Sequence, residues 1–443
     1  MGKGKICVLG AGLAGLSAAW HLSTNGIDNE VFEKETTPGG LCRSKTIGHF
    51  TFDCDGHLLN FRREGTRQFI TERLGVELDR HTRSAWIHSH GRYIRYPFQA
   101  NLSELPRRIT RECVEGFINA SERSRRDRRE SANFEAWIID TFGSGIAKYF
   151  MVPYNTKFWT VPLRKMCCGW LDGFIPVPSA KEVLRGAHSR NRKQFGYNAV
   201  FWYPRRGGIS AVPEALARRL NGLHAGKEVL AINPRRKEIV FSDSATVRYS
   251  SAVFTLPLPE IVRLIKELPS SIRRAAEKLR WNSIINVNIG MDRMCWPGMH
   301  WVYFPGSETS FFRAGCYHNF SASLAPEGSS SIYLEISYSR AKPLNVRGAY
   351  RRALKDLEGL GIYGRESPIS VCDVNDIQYG YVIYDKNYDR ARGAIIEYLQ
   401  AHDIIPAGRY GSWRYFSMED AICDGKRAAD MIARLIRASD RKR

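Results

Sequence analysis

Apolar residues at the start of the chain form a short run, which a glycine-rich turn and a helical repeat follow. Lys5–Leu9 predicts a buried strand, and apolar positions within residues 13–22 recur with helical spacing until Asn25-Gly26, a pair that favours a helix end. Residues 30–33 predict a second strand. Strand, helix and strand in this order predict a βαβ unit, the element from which parallel sheets are built.

The rest of the chain alternates between helical and strand-like patterns. Residues 134–139 and 146–150 carry helical apolar faces within a basic segment. Short strand-like runs follow at residues 229–232, 238–241, 252–256, 284–289, 301–304 and 331–337. A final helix is predicted over residues 418–437. A chain of 443 residues with this order of elements is expected to form two or three domains.

Composition restricts the class of protein. The sequence has no run of about 18 apolar residues, so we expect no transmembrane helix and place the protein in the cytoplasm. The ten cysteines lack a metal-binding spacing. We therefore expect free thiols and no metal site.

Basic residues outnumber acidic residues by 66 to 45, which gives a net charge of +21. This excess predicts an anionic partner: nucleic acid, a nucleotide substrate or a nucleotide cofactor. Acidic residues dilute the densest basic patch, and it lacks aromatic residues for base stacking. The patch consists of Arg123, Arg125, Arg126, Arg128 and Arg129. We interpret it as solvated surface and expect no nucleic-acid partner.

The glycines after the first strand have the G-x-G-x-x-G spacing of a dinucleotide-binding turn. Gly10 permits the tight turn, Gly12 lets the backbone approach a pyrophosphate, and Gly15 lets the helix pack on the strand. The helix then presents unpaired N–H groups and its positive dipole end to the phosphates. Glu33 follows Gly10 by 23 residues, where a carboxylate can accept hydrogen bonds from the adenosine ribose.

A second glycine pair distinguishes FAD from a nicotinamide dinucleotide. Gly39 and Gly40, with Arg43 behind them, resemble the extended motif of amine-oxidase-like flavoproteins, in which the arginine approaches the FAD pyrophosphate. Gly56 and His57 lie in a segment that resembles the loop against the isoalloxazine ring in that superfamily. We therefore predict that the protein binds FAD.

These elements predict an α/β fold with three parts. A Rossmann-like FAD-binding domain is expected over residues 1–90, 205–262 and 390–443, with an inserted helical substrate-binding domain over residues 99–190. An antiparallel sheet domain over the flavin is expected from residues 91–98, 191–204 and 263–389. Val229 is expected to contact the adenine through its backbone, and Ser417 and Met418 to lie near the flavin ring.

Three long segments resemble the UDP-galactopyranose mutases, especially the eukaryotic type. They are residues 96–102 (YPFQANL), 150–162 (FMVPYNTKFWTVP) and 408–415 (GRYGSWRY). The similarity runs in order from about residue 5 to about residue 435.

The resemblance implies an enzyme that interconverts the pyranose and furanose forms of a nucleotide sugar, with a pyrimidine as the expected base. In that family, N5 of reduced FAD attacks the anomeric carbon, the nucleoside diphosphate leaves and later returns, and no net electron transfer occurs. NADPH is the expected reductant in the eukaryotic-type relatives, but this chain has no separate nicotinamide fingerprint.

The resemblance also implies roles for individual residues. His57, Arg313 and Arg409 would take part in catalysis, with Arg313 on the diphosphate and sugar and Arg409 near the flavin. An arginine fork suits phosphate oxygens because it donates two parallel hydrogen bonds. The implied substrate residues are Tyr96, Phe98 and Gln99 at the pyrimidine, Tyr381 and Tyr415 at the diphosphate, and Asn155, Trp159, Asn198 and Arg206. Trp301 and Tyr303 are expected in the core.

One position departs from the mutases. Shortly after Trp170-Leu171, where the family has an arginine that contacts the diphosphate, this chain has Phe174. Losing an arginine–phosphate contact costs about 2–5 kcal/mol if nothing replaces it. Either Arg205 or another residue compensates, or the substrate differs from UDP-galactose.

Three alternatives stand beside the mutase. An oxidoreductase of the amine-oxidase or protoporphyrinogen-oxidase type would share the flavin loops but carry an apolar or amine-binding pocket. A nucleotide-binding protein with a vestigial flavin site conflicts with the intact glycines, Glu33 and Arg43. A basic nucleic-acid-binding protein is the remaining alternative. The segment with Tyr96 and Gln99, the paired tyrosines and Arg313 favour the mutase.

Overall fold

A computed structural model describes residues 5–126, 130–171, 173–191, 193–196, 198–364 and 368–440. Arg128 and Arg129 of the basic patch lie outside the described residues, as do the side chains of Arg125 and Arg126.

The described residues form strands and helices throughout. The strands are β1 (Lys5–Leu9), β2 (Asn29–Phe32), β3 (Ser44–Ile47), β4 (Phe50–Asp53), β5 (Leu78–Thr82), β6 (Ala85–Ser89), β7 (Arg92–Arg95), β8 (Val200–Pro204), β9 (Leu223–His224), β10 (Val229–Asn233), β11 (Glu238–Phe241), β12 (Thr246–Phe254), β13 (Trp281–Met291), β14 (Trp301–Tyr303), β15 (Arg313–Cys316), β16 (Ser330–Tyr338), β17 (Ile369–Val382) and β18 (Ile404–Pro406). The α-helices are α1 (Leu13–Thr24), α2 (Glu64–Gln68), α3 (Arg107–Arg126), α4 (Phe134–Ile146), α5 (Val152–Trp159), α6 (Ala180–His188), α7 (Ala211–Ala217), α8 (Leu258–Leu264), α9 (Ser270–Ala276), α10 (Val346–Gly359), α11 (Tyr388–Gln400), α12 (Gly408–Gly411) and α13 (Met418–Asp440).

The first sheet contains the predicted βαβ unit. Its strands lie in the order β10-β11-β12-β1-β2-β9, with β18 beside β12. β1 is parallel to β2 and β12. Ile6 and Val8 pack on the side of α1 and α13, whereas Cys7 and Leu9 pack with residues of α8 and α11. Burial on both faces explains the uninterrupted apolar run of this strand.

The second sheet has the order β17-β13-β16-β15-β14-β6-β7. Its central strands β13 and β16 are buried on both faces. Val287 and Leu334 share one apolar cluster with residues of α10. On the other face, Asn286 and Asn288 donate hydrogen bonds to Asp55 and to the carbonyl of Asp53. The sheet therefore turns polar side chains toward the loop that was predicted to contact the flavin.

Two strands pair with parts of the structure outside the domain to which the sequence assigned them. β6 lies inside the segment expected in the FAD-binding domain, yet it pairs with β14 of the second sheet. β8, expected in the sheet domain, pairs with β5 in a separate two-stranded sheet. Such short strands take their partners from distant parts of the chain, and local alternation does not specify the partner.

The helical layer is built on α3 and α4, which cross closely at glycines. Gly143 has φ +76° and interrupts the regular geometry of α4. A Cβ atom at Gly143 would lie 2.0 Å from the carbonyl oxygen of Gly116, so the crossing requires glycine there. Buried aromatic side chains, among them Phe142 and Phe150, fill the space beneath. The predicted α/β fold class, with its helical and antiparallel-sheet parts, is confirmed.

The structure bears on two expectations from composition, the absence of membrane-spanning helices and the state of the cysteines. Within the ranges that the structure describes, no helix is long and apolar enough to cross a membrane. The ten cysteines are free thiols.

Candidate active site

The turn between β1 and α1 is closed by glycine packing. Gly10 has φ +96°, a left-handed conformation that glycine adopts without strain. A Cβ atom at Gly15 would lie 1.9 Å from the Gly10 carbonyl oxygen, so any side chain there would force the turn open. A Cβ atom at Gly12 would meet only Gly40 within 4 Å, at 3.9 Å. The turn therefore leaves bare backbone at the N-terminus of α1, where a pyrophosphate fits.

The second glycine pair lies against this turn. The Gly39 N–H donates to the carbonyl of Ala11 at 2.8 Å, and Gly39 and Gly40 both have positive φ. Arg43 follows, and its Nη1 lies 3.4 Å from a carboxylate oxygen of Glu35. Two glycine-lined loops and an arginine thus meet at the N-terminus of α1, which is the donor set that a dinucleotide pyrophosphate requires.

Glu33 follows β2 and is buried beside the same turn. Its Oε2 accepts from the Ala11 N–H at 2.7 Å, and its Oε1 accepts from the Glu35 N–H at 3.0 Å. The Lys227 N–H donates to the Glu33 carbonyl at 2.7 Å, which brings Val229, the first residue of β10, close to this carboxylate. The two positions predicted for the adenosine end therefore lie in one neighbourhood.

The Asp53 side chain, at the end of β4, anchors the start of the loop that follows. This carboxylate accepts from Ser44 Oγ and Tyr203 OH, each at 2.7 Å, and from the Ile209 N–H at 3.1 Å. Burial raises the pKa of Asp53 to about 6, although these three hydrogen bonds lower it. A Cβ atom at Gly56 would lie 2.2 Å from the Tyr333 hydroxyl, so the loop passes the second sheet only because glycine stands there.

His57 lies at the end of this loop and is held by it. Its Nδ1 lies 3.0 Å from the Asp55 carbonyl, and a carbonyl only accepts, so Nδ1 carries the proton. Burial lowers the pKa of His57, and the nearby Arg313 and Arg409 lower it further, while Asp55 acts in the opposite direction. His57 is therefore a neutral imidazole at neutral pH.

Arg313 and Glu335 form an ion pair on neighbouring strands. They face each other in the register of β15 and β16, and Arg313 Nη2 donates to Glu335 Oε1 at 2.6 Å while its Nε donates to the other oxygen. Glu335 is 0% exposed. Burial raises the pKa of Glu335 to about 8, against the lowering effect of Arg313.

Arg409 lies against two stacked tyrosine rings. Its guanidinium lies 4.8 Å from the ring centroids of both Tyr381 and Tyr415, and its Nη1 donates to the Phe416 carbonyl at 2.9 Å. Ser417, the next residue, caps α13: its Oγ accepts from the Asp420 N–H at 3.2 Å. Met418 is buried at the first position of α13, which packs on α1.

A continuous row of half-buried rings runs beside these charges, and we name it the aromatic row. Each ring contacts the next, with centroid distances between 4.5 and 6.1 Å. Its members in spatial order are Tyr96, Tyr303, Tyr154, Phe158, Tyr381, Tyr415 and Phe174. The row joins the residues predicted for the pyrimidine to those predicted for the diphosphate.

Phe174 is part of this row. Its ring meets that of Tyr415 edge to face at 4.8 Å. The position at which the resemblance expects an arginine therefore lies beside the predicted diphosphate residues, and an apolar ring occupies it here.

Two predicted substrate residues have buried polar atoms without a partner in the described part of the chain. Gln99 donates from Nε2 to the Pro176 carbonyl at 2.7 Å, but its Oε1 is buried and unpaired. Trp159 lies in the core next to Tyr381, and its Nε1 donor is also unpaired. Unpaired buried polar groups are costly, so both atoms suit a ligand that supplies the missing hydrogen bond.

Four other predicted substrate residues are not part of the aromatic row. Phe98 is completely buried and stacks on Phe150 at 5.1 Å, so it belongs to the core and cannot offer a stacking face to a ligand. Asn155 is buried and donates to the Met151 carbonyl at 2.7 Å. Arg206 is exposed in the bend after β8, and within the described ranges no hydrogen bond, ion pair or ring contact joins it to the aromatic row. Asn198 accepts a hydrogen bond from Arg83.

Sequence reasoning missed two residues of this site. Tyr303 was expected in the core, but it is half-buried within the aromatic row, whereas Trp301 is buried as predicted. Arg83 is 3% exposed, and its guanidinium lies 4.6 Å above the centre of the Tyr96 ring. It donates to the Phe195 carbonyl at 2.5 Å, and no carboxylate among the described residues pairs with it.

A glycine-lined turn at a helix N-terminus, with a buried acid after the second strand of a βαβ unit, is the arrangement of a dinucleotide-binding protein. The chain matches the family of flavin-containing amine oxidoreductases over residues 13–433 and belongs to that family. FAD is the cofactor that this membership implies, and the glycine loops, Glu33 and Arg43 are the residues that would hold it.

Individual relatives carry different activities. The chain is similar to a reduced UDP-galactopyranose mutase, with 28% identity, a TM-score of 0.92, and coverage of 98% of this chain and 96% of the other. A putrescine oxidase shares the fold at 16% identity and a TM-score of 0.68, covering 97% and 99% of the two chains. In sequence, a zeta-carotene-forming phytoene desaturase of Myxococcus xanthus is 24% identical over 423 residues, covering 83% of this chain and 79% of the relative.

Proposed function

We propose that this protein is an FAD-dependent mutase that interconverts the pyranose and furanose forms of a pyrimidine nucleotide sugar. The observation that carries the proposal is the aromatic row with guanidinium groups at both ends. Arg83 lies over Tyr96 at one end, and Arg409 lies against both Tyr381 and Tyr415 near the other. Aromatic faces suit a base and arginine forks suit phosphate oxygens, so the row has the chemistry of a nucleoside diphosphate.

The base would bind at the Tyr96 end. Tyr96 offers a partly exposed ring, and the unpaired Oε1 of Gln99 can accept from the imide N–H of a uracil. The cation on the far side of the ring, Arg83, fixes the orientation of Tyr96 by a cation–π contact.

The diphosphate would bind between Arg313, Arg409 and the two tyrosine hydroxyls. Trp159 Nε1 is a further free donor at this end. These groups would hold the diphosphate both as a leaving group and as the nucleophile that later returns, because the same donors stabilise its charge at both moments. Reduced FAD, held by the glycine loops, would supply the nucleophilic chemistry at the anomeric carbon.

His57 and the half-buried rings of the aromatic row would line the part of the site that binds the sugar. A neutral His57 that carries its proton on Nδ1 can accept a hydrogen bond at Nε2 without adding charge beside the anomeric carbon. Phe174 offers no hydrogen bond to the substrate, so the sugar or phosphate arrangement is expected to differ from that of UDP-galactose. NADPH would be the reductant of the bound FAD.

The test compares the reduced and the oxidised holoprotein. Each is incubated anaerobically with UDP-, CDP- and dTDP-sugars, and isomers are separated by chromatography. We expect isomerisation of one sugar by the reduced form alone, without stoichiometric consumption of reductant. Bleaching of the flavin by NADPH, compared with dithionite, tests the reductant.

A second experiment tests the oxidoreductase alternative, which the desaturase relative favours. Amines and porphyrinogens are offered to the oxidised protein, and oxygen uptake is recorded. Oxidation of one of these compounds, with no isomer formed from any nucleotide sugar, would replace the mutase by the oxidoreductase.

A further inference from the structure

The side chain of Asp55 lies beside the Arg313–Glu335 pair and has no role in the function proposed above. Its Oδ1 accepts from the Gly56 N–H at 2.8 Å and from Asn286 Nδ2 at 3.2 Å. Its carboxyl group also lies within hydrogen-bonding reach of the Glu335 carboxyl group. The buried carboxyl group of Glu335 therefore lies beside both the Arg313 guanidinium and a second acidic side chain.

The strand register fixes this arrangement. Glu335 stands opposite Arg313 on one side and opposite Asn286 on the other, and Asn286 stands opposite Asn375. Asn375 Nδ2 donates to Asn286 Oδ1 at 3.1 Å, which orients the Asn286 amide so that its Nδ2 points to Asp55. The sheet therefore fixes Glu335 and Asn286, and the hydrogen bond from Asn286 holds the Asp55 side chain beside them.

Two carboxyl groups in hydrogen-bonding contact cannot both be ionised without strong repulsion, so one proton is held between them. We propose that Asp55 is a positioning residue for Arg313: by sharing a proton with Glu335 it keeps the Arg313–Glu335–Asp55 group neutral, so that Arg313 can bind a diphosphate. Without the shared proton the group has one positive and two negative charges and repels the ligand. The inference rests on the proposed function, in which Arg313 contacts the diphosphate.

The groups that face this pair come from several elements. They are Arg313, Tyr333, Tyr381, Tyr154, Tyr317, Tyr410, Arg409, His57, Cys54 and Asp53. Burial raises the pKa values of these tyrosines and of Cys54 and lowers that of His57, and the pKa of Asp53 is about 6. Between pH 7 and 9, the group in this neighbourhood that changes charge is therefore the carboxyl pair, since the pKa of Glu335 is about 8.

The test is the affinity of the holoprotein for UDP between pH 7 and 9, in the wild type and in Asp55→Asn. An asparagine can still accept from Gly56 and donate to Glu335, but it leaves no second carboxylate. The pKa of Glu335 is raised, so the shared proton is present below about pH 8 and is lost above it. We expect the wild-type dissociation constant to rise above this pH, approaching about tenfold per pH unit, and that of Asp55→Asn to change far less.

UDP itself titrates equally in both experiments, so the ratio of the wild-type and Asp55→Asn dissociation constants at each pH is free of this effect. Asp140→Asn is the matched control, because Asp140 is an exposed carboxylate on α4 that accepts from Ser131. This variant should keep the wild-type pH dependence.

Calorimetry on the wild type alone gives a second readout that does not depend on the folding of a variant. Titrations with UDP at pH 8 in buffers of different ionisation enthalpy report proton uptake, and we expect a fraction of a proton per UDP bound. If UDP binds equally from pH 7 to 9 without proton uptake, the inference is wrong and the proposed function stands. If UDP does not bind at any pH, the proposed nucleotide site fails and the inference fails with it.

Discussion

Replacement of Arg313 separates ligand binding from folding. Arg313→Met removes the guanidinium that bonds both oxygens of Glu335 and keeps an unbranched chain of similar reach. Loss of a phosphate contact from a desolvated arginine costs about 2–5 kcal/mol. The dissociation constant for UDP is therefore expected to rise by roughly 30-fold to a few thousandfold.

The same replacement leaves Glu335 buried without its cation. Removal of one partner of a buried ion pair destabilises a protein by about 3–5 kcal/mol. Here the cost is expected at the low end, because the pKa of Glu335 is already about 8 and the carboxyl group can take up a proton. The double variant Arg313→Met with Glu335→Met also removes the acid. It should recover most of the stability but none of the UDP affinity.

Three measurements on each purified variant separate these effects. Flavin absorbance per polypeptide reports bound FAD, flavin release on heating reports stability, and fluorescence titration reports UDP binding. Bound FAD should be unchanged, because the glycine loops and Glu33 are untouched. Loss of flavin in parallel with UDP affinity would show that Arg313 belongs to the cofactor site. Unchanged UDP affinity in Arg313→Met would reject its role at the diphosphate.

Three further changes test other parts of the site. Gly15→Ala puts a Cβ atom 1.9 Å from a backbone oxygen and should abolish flavin absorbance in the purified protein, whereas Gly65→Ala, with nothing within 4 Å, should preserve it. Trp159→Phe removes an unpaired donor and should weaken UDP binding about tenfold or more, whereas Tyr249→Phe removes a buried, unpaired hydroxyl on β12 outside the aromatic row and should leave the titration unchanged. Phe174→Arg should strengthen UDP binding by about tenfold or more in the same assay; no gain would mean that another residue already supplies this charge.

The cofactor side could be predicted from the chain because its signals are local. The spacing of Gly10, Gly12 and Gly15 specifies a turn whose closure depends on contacts within a few residues. The acid at residue 33 follows at the distance that one βαβ unit imposes. The partner of β6 was not predictable in this way, since a five-residue strand can pair with any free edge and its choice is decided by distant residues.

The substrate side was less accessible to sequence reasoning. Trp301 and Tyr303 point to the same face of a three-residue strand, and alternation alone cannot tell that one ring is covered while the other meets Tyr96. Arg83 is one of 66 basic residues, and nothing near it in the chain indicates burial. The role predicted for Phe98 was wrong for the opposite reason. Its neighbours in sequence line the site, but its own side chain packs in the helical core.

The charge balance along the aromatic row favours the mutase over an amine oxidase. Arg83, Arg313 and Arg409 contribute three positive charges, and Glu335 with Asp55 offsets one of them as long as the two acids share a proton. A cationic amine would meet net repulsion there, whereas a diphosphate is attracted. A diamine should therefore not displace UDP in a competition titration at pH 7. Displacement at low diamine concentration would contradict this charge balance and would favour the oxidoreductase.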